Sequence, residues 1–150
     1  MDGKSIVLSG TIAMGKGEGT YFMSMKHYRK EIKEKLGFLA YPGTLNLKVG
    51  EKNIDIFKEI NPIKINGHKS NGKILGGARC YIAIIRGIRG SIIIPELTKH
   101  KGVIEFIAPV HLKSELKIKD GDSIKLKIFQ MPSKEEKILN SKNLKFFKLK

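Results

Sequence analysis

The sequence contains little cysteine and no long apolar run. Its 150 residues include one cysteine, Cys80. A single cysteine excludes an internal disulfide and any zinc site built from several cysteines, so nothing in the cysteine content points to secretion. No apolar run approaches the roughly 20 residues that span a bilayer, and the first residues lack the charged and apolar regions of a signal peptide. We therefore expect a cytoplasmic protein without a membrane partner.

Acidic residues are also scarce. The chain has 14 Asp and Glu against 29 Lys and Arg, which gives a formal net charge of +15. A charge of this sign favours nucleic acid, nucleotides or acidic membranes as partners. Lysines that only solvate the surface would give the same charge. No run of Lys or Arg is longer than two residues, which is a weak pattern for a DNA-binding surface.

The apolar pattern is mostly that of β-strands. Hydrophobic residues make up 41 % of the chain, which is enough for the core of one domain. Their spacing is mostly of period two, and the connections are too short for repeated βαβ units. About seven strands therefore predict an antiparallel or mixed β-barrel. The strands are expected at residues 5–13, 20–25, 41–50 (after a turn), 79–86, 91–94, 102–109 and 123–129.

One helix is predicted, over residues 25–36. Tyr28, Ile32 and Leu36 recur there every four residues, so their side chains share one face of a helix. Gly37 follows directly, where a glycine often caps the C-terminal end of a helix.

The composition changes near residue 130. Residues 131–150 hold six lysines and two glutamates, which adds +4 to the net charge. We expect residues 1–130 to form the barrel domain and residues 131–150 to form a basic tail that is flexible or helical.

A glycine-rich segment, "GTIAMGKGEGTYF", spans residues 10–22. Gly10, Gly15 and Lys16 have the spacing of a Walker A loop, but Gly17 replaces the hydroxyl residue that binds Mg²⁺ in that loop, and no helix is expected to follow directly. Three glycines in five residues still allow successive N–H groups to surround an anion, and Lys16 adds a cation. A flexible hairpin turn has the same composition.

Two neutral oxygen donors lie two residues apart in "PGTLNLKV". Strand alternation places Thr44, Asn46 and Lys48 on one face and the leucines on the other. Thr44 and Asn46 could hold Mg²⁺ together with phosphate oxygens and water, because Mg²⁺ takes few protein ligands when a nucleotide supplies the rest. The same pattern is typical of the polar face of a half-buried strand. The four histidines are scattered, without the spacing of metal ligands.

Several segments, taken together, resemble one family. "GKGEGTYF", "LGF…YPGTLNLKV", "GSIIIP", "VIEFIAP" and "LKIKDGDSIKLKI" occur in the order and spacing of the archaeal CTP-dependent riboflavin kinases, over about residues 5–129. The resemblance implies a mainly β fold, a six-stranded cradle-loop β-barrel with one short α-helix. It also implies transfer of the CTP γ-phosphate to the riboflavin 5′-hydroxyl, which gives FMN and CDP.

The resemblance also implies site residues. Thr44 and Asn46 match the ligands of one Mg²⁺ ion, and Thr98 and Glu105 match the contacts to the flavin. Lys16 is then a phosphate-binding residue, and Glu105 orients the riboflavin hydroxyl or takes its proton. The residues that match the nucleotide-binding segments are Gly15, Lys16, Gly17, Glu18, Gly19 and Thr20 in the first and Val110, His111, Leu112 and Lys113 in the second.

The expected partners are riboflavin, FMN, CTP and CDP, with no nucleic acid required. We expect a monomer without the N-terminal helix-turn-helix domain that some family members carry. The stretch "LKIKDGDSIKL" also resembles the swapped-hairpin barrels of AbrB-type transcription factors. A DNA-binding regulator is therefore the alternative function, although such a protein has no use for "GKGEGTYF" or "PGTLN".

Overall fold

A computed structural model describes residues 5–15, 23–96 and 102–130 of the chain. Most of the regular structure in these ranges is strand. The strands are β1 (Ser5–Ala13), β2 (Leu45–Lys48), β3 (Ile63–Ile65), β4 (His68–Ser70), β5 (Lys73–Leu75), β6 (Ala78–Ile85), β7 (Ile88–Pro95), β8 (Val103–Ile107) and β9 (Ser123–Phe129). The helices are α1 (Lys26–Leu36), α2 (Glu51–Ile54), a 3₁₀ helix (Asp55–Glu59) and α3 (Leu112–Leu116).

Six of these strands close into a barrel within one chain. The order around the ring is β6, β7, β8, β2, β1, β9, and β9 pairs back onto β6. Every pairing between neighbours is antiparallel. The strand β3 adds to the free edge of β6 outside the ring. The predicted six-stranded, mainly β barrel is therefore confirmed.

Alternate residues of the strands fill the interior of the ring. On β2, Leu45 and Leu47 are 4 % and 0 % exposed, and their cross-strand neighbours on β8, Phe106 and Ile104, are equally buried. These side chains belong to one cluster that draws on all six strands of the ring. Each fully buried side chain of this size stabilises the fold by about 2 kcal/mol. The period-two pattern therefore specifies the inward face of β1, β2 and β9, whereas β6 and β7 are buried on both faces.

The helix α1 covers part of the outer surface of the barrel. Its buried residues are Tyr28, Ile32 and Leu36, the predicted apolar face, and they pack with outward-facing residues of the barrel such as Ile93 and Cys80. Gly37 ends the helix in the left-handed conformation, with φ of 83°, and its N–H donates to the Lys33 carbonyl at 3.1 Å. The prediction of this helix is confirmed, one residue shorter at its start.

The prediction of a strand over residues 20–25 is wrong where the structure describes it. Met23 and Ser24 are helical, and Met23 is fully buried in the cluster under α1. A hairpin partner would need a free edge at the end of β1, and both edges are occupied there. Residues 11–13 pair with β2, and Ile12 exchanges hydrogen bonds with residues 121 and 122 on the other side. Residues 20–22 lie outside the described ranges.

A two-stranded ribbon extends beyond the barrel from β3 and β6. The pairing continues in one register from Ile63 and Cys80 to β4 and β5 at the tip. Four side chains of α1 bind the base of this ribbon. Two of them, His27 and Lys35, each make a 2.9 Å hydrogen bond to a backbone carbonyl. Tyr28 Oη donates to the Gly76 carbonyl at 2.6 Å, and the Asn66 N–H donates to Glu31 Oε1 at 2.9 Å. Helix α1 therefore binds both the barrel wall and the ribbon.

The expected basic tail, residues 131–150, lies outside the described ranges. The expected absence of a membrane-spanning segment concerns the helices. Within the described ranges, every helix is too short or too polar to cross a membrane.

Candidate active site

Three strand ends meet at one rim of the barrel. Because neighbouring strands are antiparallel, the end of β1, the start of β2 and the end of β8 lie at the same end of the barrel. Asn46 on β2 lies opposite Ala13 on β1 and opposite Glu105 on β8. Directly paired residues project from the same face of a sheet. The side chains of Asn46 and Glu105 are therefore neighbours on the outer face of the barrel.

Thr44 joins this pair through a hydrogen bond. Its Oγ1 donates to Glu105 Oε1 at 2.9 Å, between residues 61 apart in the sequence, and both side chains are half-buried. A threonine hydroxyl has one hydrogen and two lone pairs. Since the hydrogen is used on Glu105, the lone pairs of Thr44 are left to accept or to bind a cation.

Asn46 lies between Glu105 and the residues that follow β1. Alternation along β2 is as predicted, with Leu45 and Leu47 buried, Asn46 half-buried and Lys48 exposed. The backbone of Gly15 passes so close to Asn46 that a Cβ atom at position 15 would lie 2.7 Å from Asn46 Cγ. Gly15, Thr44, Asn46 and Glu105 are thus brought together, and we call these four residues the candidate site. The metal-binding role of Thr44 and Asn46 stays a prediction.

The segment of residues 110–113 lies at the same rim. The Tyr41 N–H donates to the Ala108 carbonyl at 2.8 Å, which ties this segment to the loop that leads into Thr44. The rings of Tyr41 and His111 lie 5.1 Å apart between centroids. His111 Nδ1 also shares a 2.6 Å hydrogen bond with Ser114 Oγ.

The three remaining residues of this segment have contacts of their own. Val110 is partly buried and packs against the interior cluster. The Leu112 side chain packs into the interior of the barrel, so its backbone is the part available to a ligand. Lys113 Nζ pairs with Asp120 Oδ1 at 2.6 Å. The segment therefore offers mainly backbone groups and the ring of His111 to the rim.

Several predicted site residues lie outside the described ranges. These are Lys16, Gly17, Glu18, Gly19, Thr20 and Thr98.

The structure adds neighbours that sequence analysis did not single out. Tyr41 lies beside His111, although it stands in the quoted stretch "YPGTLNLKV" and could have been considered with it. The rings of His27 and His68 are stacked, 4.5 Å apart between centroids, and a separation of 41 positions gave no signal for this contact. In the described parts of the chain, no group of three or more His, Cys, Asp or Glu could hold a metal ion.

Comparison with known proteins gives matches over most of the chain. The model of the family CTP-dep_RFKase, described as "Domain of unknown function DUF120", matches residues 12–128. A protein named riboflavin kinase from Methanococcoides burtonii is 37 % identical over 131 residues, which cover 85 % of this chain and 59 % of the relative. Another of that name from Methanocella arvoryzae is 39 % identical over 126 residues, covering 83 % of this chain and 58 % of the relative.

A third relative is matched over more of its own length. The riboflavin kinase of Ignicoccus hospitalis is 38 % identical over 132 residues, which cover 84 % of this chain and 73 % of that protein. The chain spans about three fifths of the length of the first two relatives. The family match, however, includes every residue of the candidate site and all of the closed ring except the first seven residues of β1 and the last residue of β9. The chain therefore belongs to the CTP-dependent riboflavin kinase family.

Proposed function

We propose that this chain is a CTP-dependent riboflavin kinase, which transfers the γ-phosphoryl group of CTP to the 5′-hydroxyl of riboflavin. The family match and the names of the relatives support a riboflavin kinase. The observation that carries the proposal is the hydrogen bond between Thr44 and Glu105 beside Asn46. It places two neutral oxygen donors and one carboxylate next to each other, at the rim where both predicted nucleotide-binding segments begin.

The phosphate donor is assigned to the two segments that flank the candidate site. In the proposal, backbone N–H groups of residues 15–20 and the Lys16 ammonium hold the phosphates, because a glycine-rich backbone can surround an anion. Backbone groups of residues 110–113 form hydrogen bonds with the edge of the cytosine base. A site built to satisfy those base groups rejects bases that cannot pair with it.

Thr44 and Asn46 fit a magnesium ion. Mg²⁺ prefers oxygen ligands and uses few protein ligands when phosphates complete its shell. The Thr44 hydroxyl keeps its lone pairs because its hydrogen is given to Glu105, and Asn46 offers a carbonyl oxygen beside it. When bound, the ion supplies charge neutralisation for the phosphates. The two residues would hold it beside Glu105.

Glu105 is assigned to the acceptor. Its carboxylate accepts a hydrogen bond from the riboflavin 5′-hydroxyl and orients the oxygen towards the γ-phosphorus. A bond forms between that oxygen and the γ-phosphorus, while the bond from the γ-phosphorus to the β–γ bridging oxygen breaks and its electron pair leaves with CDP. The hydroxyl proton passes to Glu105. Alignment and charge neutralisation dominate such a transfer.

The test is product analysis with the purified chain. Riboflavin and Mg²⁺ are incubated with CTP, ATP, GTP or UTP in parallel, and flavins and nucleotides are separated by chromatography. The proposal expects equal amounts of FMN and CDP with CTP, and much less FMN with the other three nucleotides. FMN formation that is strongest with ATP would overturn the CTP assignment, and no FMN with any nucleotide would overturn the kinase.

A further inference from the structure

Gly15 has no space for a side chain, and the obstacle is the Asn46 side chain. A Cβ atom at position 15 would lie 3.0 Å from Asn46 Oδ1 and closer still to Cγ and Nδ2. Backbone conformation gives no reason for a glycine here, because Gly15 is not among the glycines with positive φ in the described part of the chain. The Asn46 side chain therefore occupies the space that a side chain at position 15 would need.

The second oxygen donor is held in a comparable way. Thr44 is fixed by its hydrogen bond to Glu105, and Glu105 is also the direct cross-strand neighbour of Asn46. Asn46 thus has the backbone of Gly15 on one side and the Glu105 strand on the other. Its side chain is half-buried, so it could turn towards solvent if either neighbour were changed.

We infer that Gly15 is a positioning residue for metal binding, because its missing side chain leaves the space that holds the Asn46 amide beside Thr44. The inference rests on the proposed function, since it assumes that Thr44 and Asn46 bind the metal. It assigns Gly15 a role separate from any contact with phosphate. An alanine at position 15 displaces the Asn46 amide and separates the two donors, while the backbone can keep its course.

The experiment compares Gly15→Ala with a matched control, Gly43→Ala. Gly43 directly precedes Thr44, and a Cβ atom there would contact only the Tyr41 ring, at 3.3 Å and beyond. Binding of Mn²⁺ to each variant is followed by electron paramagnetic resonance in the presence of CDP. The Mg²⁺ dependence of FMN formation is measured alongside. Thermal unfolding checks that both variants fold.

Gly15→Ala should weaken Mn²⁺ binding about tenfold or more, as is usual when a group that orients a metal ligand is lost, and should raise the half-maximal Mg²⁺ concentration similarly. Gly43→Ala should match the wild type. Adding Gly15→Ala to an Asn46→Ala variant should weaken Mn²⁺ binding no further, because the displaced group is already absent. Such non-additivity is expected only if Gly15 acts through Asn46.

The outcomes separate this inference from the proposed function. If the wild type makes FMN but Gly15→Ala binds Mn²⁺ normally, the inference fails and the kinase stands. If no nucleotide yields FMN, the kinase fails, and the Mn²⁺ titrations still decide the inference. Equal weakening in the two glycine variants, additive effects in the double variant, or no Mn²⁺ binding to the wild type would each overturn it.

Discussion

One row of cross-strand neighbours crosses the outer face of the barrel and has two different halves. We call it the outer row, and its members in order are Ala13, Asn46, Glu105, Ile93, Cys80 and Ile63. At the β1–β2–β8 end, Asn46 and Glu105 are polar and half-buried. At the β7–β6–β3 end, the side chains are apolar, and Ile93 and Cys80 are 2 % and 0 % exposed.

The difference follows from what covers each half. Helix α1 packs on Ile93 and Cys80, and burial there raises the pKa of the Cys80 thiol to about 12, so that it stays protonated at neutral pH. The polar half has Thr44 and Gly15 against it instead. One half of the row thus attaches the helix, and the other half leaves oxygen donors at a partly open rim. The outward faces of one sheet serve stability at one end and are proposed to serve chemistry at the other.

The largest expected effect comes from removing the polar half. Thr44→Ala combined with Asn46→Ala should lower the rate of FMN formation about a thousandfold, since a metal ion contributes several kcal/mol to such a transfer and both of its proposed protein ligands are lost. The rate is measured by chromatography at saturating riboflavin and CTP. Lys48→Ala is the matched control, because Lys48 is exposed on the same face of β2. A double variant as active as the Lys48 control contradicts the metal assignment.

An intermediate effect is expected from the covered half. Ile32 is fully buried between α1 and the barrel, so Ile32→Ala should cost about 3 kcal/mol of unfolding free energy, as a truncated core side chain does. Urea unfolding measures the loss. The rate at which Cys80 reacts with a thiol reagent in the folded chain should rise as the helix is loosened.

In Ile32→Ala, the rate of FMN formation per folded molecule should change little. Lys33→Ala, at an exposed position on the same helix, should leave both stability and labelling near wild type. If Ile32→Ala reduces the rate as strongly as the Thr44 and Asn46 changes do, the two halves of the outer row do not divide stability from chemistry.

The smallest expected effect concerns the contact between α1 and the ribbon. The Asn66 N–H, and then the Lys35 ammonium, lower the pKa of Glu31 below its usual 4.5. A carboxylate with a lowered folded-state pKa adds stability that is present above the unfolded value and is lost as the pH falls through the folded value. Glu31→Gln should therefore reduce stability by less than about 1 kcal/mol at pH 6.

When the pH is lowered from 6 to 3, Glu31→Gln should lose less unfolding free energy than the wild type. Urea unfolding at the two pH values measures this difference. Glu34→Gln, at an exposed position of α1, serves as the control. Identical pH dependence in the wild type and Glu31→Gln means that this contact does not contribute.

Sequence periodicity predicted the helix and the strand whose apolar residues recur at regular spacing. The repeat of Tyr28, Ile32 and Leu36 identified α1, and the alternation after Thr44 identified the buried face of β2. Both patterns are local, so they can be recognised in the sequence without knowledge of the tertiary structure. The strand expected at residues 20–25 was wrong because the edges of β1 that it needed are taken by distant strands.

The candidate site was predictable only in part. Alternation predicts Thr44 and Asn46 on one face of a strand, and in the structure β2 begins at Leu45, directly after Thr44. Glu105 came from the resemblance, since its bond to Thr44 depends on a register between strands 61 residues apart in the sequence. The contact between Gly15 and Asn46 likewise depends on the path of the chain after β1. Neither contact has a local signal in the sequence.

A structure of the chain with CDP, Mg²⁺ and FMN tests the central claim most directly. The account predicts Mg²⁺ on the oxygen atoms of Thr44 and Asn46, with the FMN phosphate beside Glu105 and CDP between residues 15–20 and 110–113. Ile93 and Cys80 should remain under α1. Ligands bound elsewhere on the barrel, with Asn46 and Glu105 touching none of them, would contradict the assignment of chemistry to the polar half of the outer row.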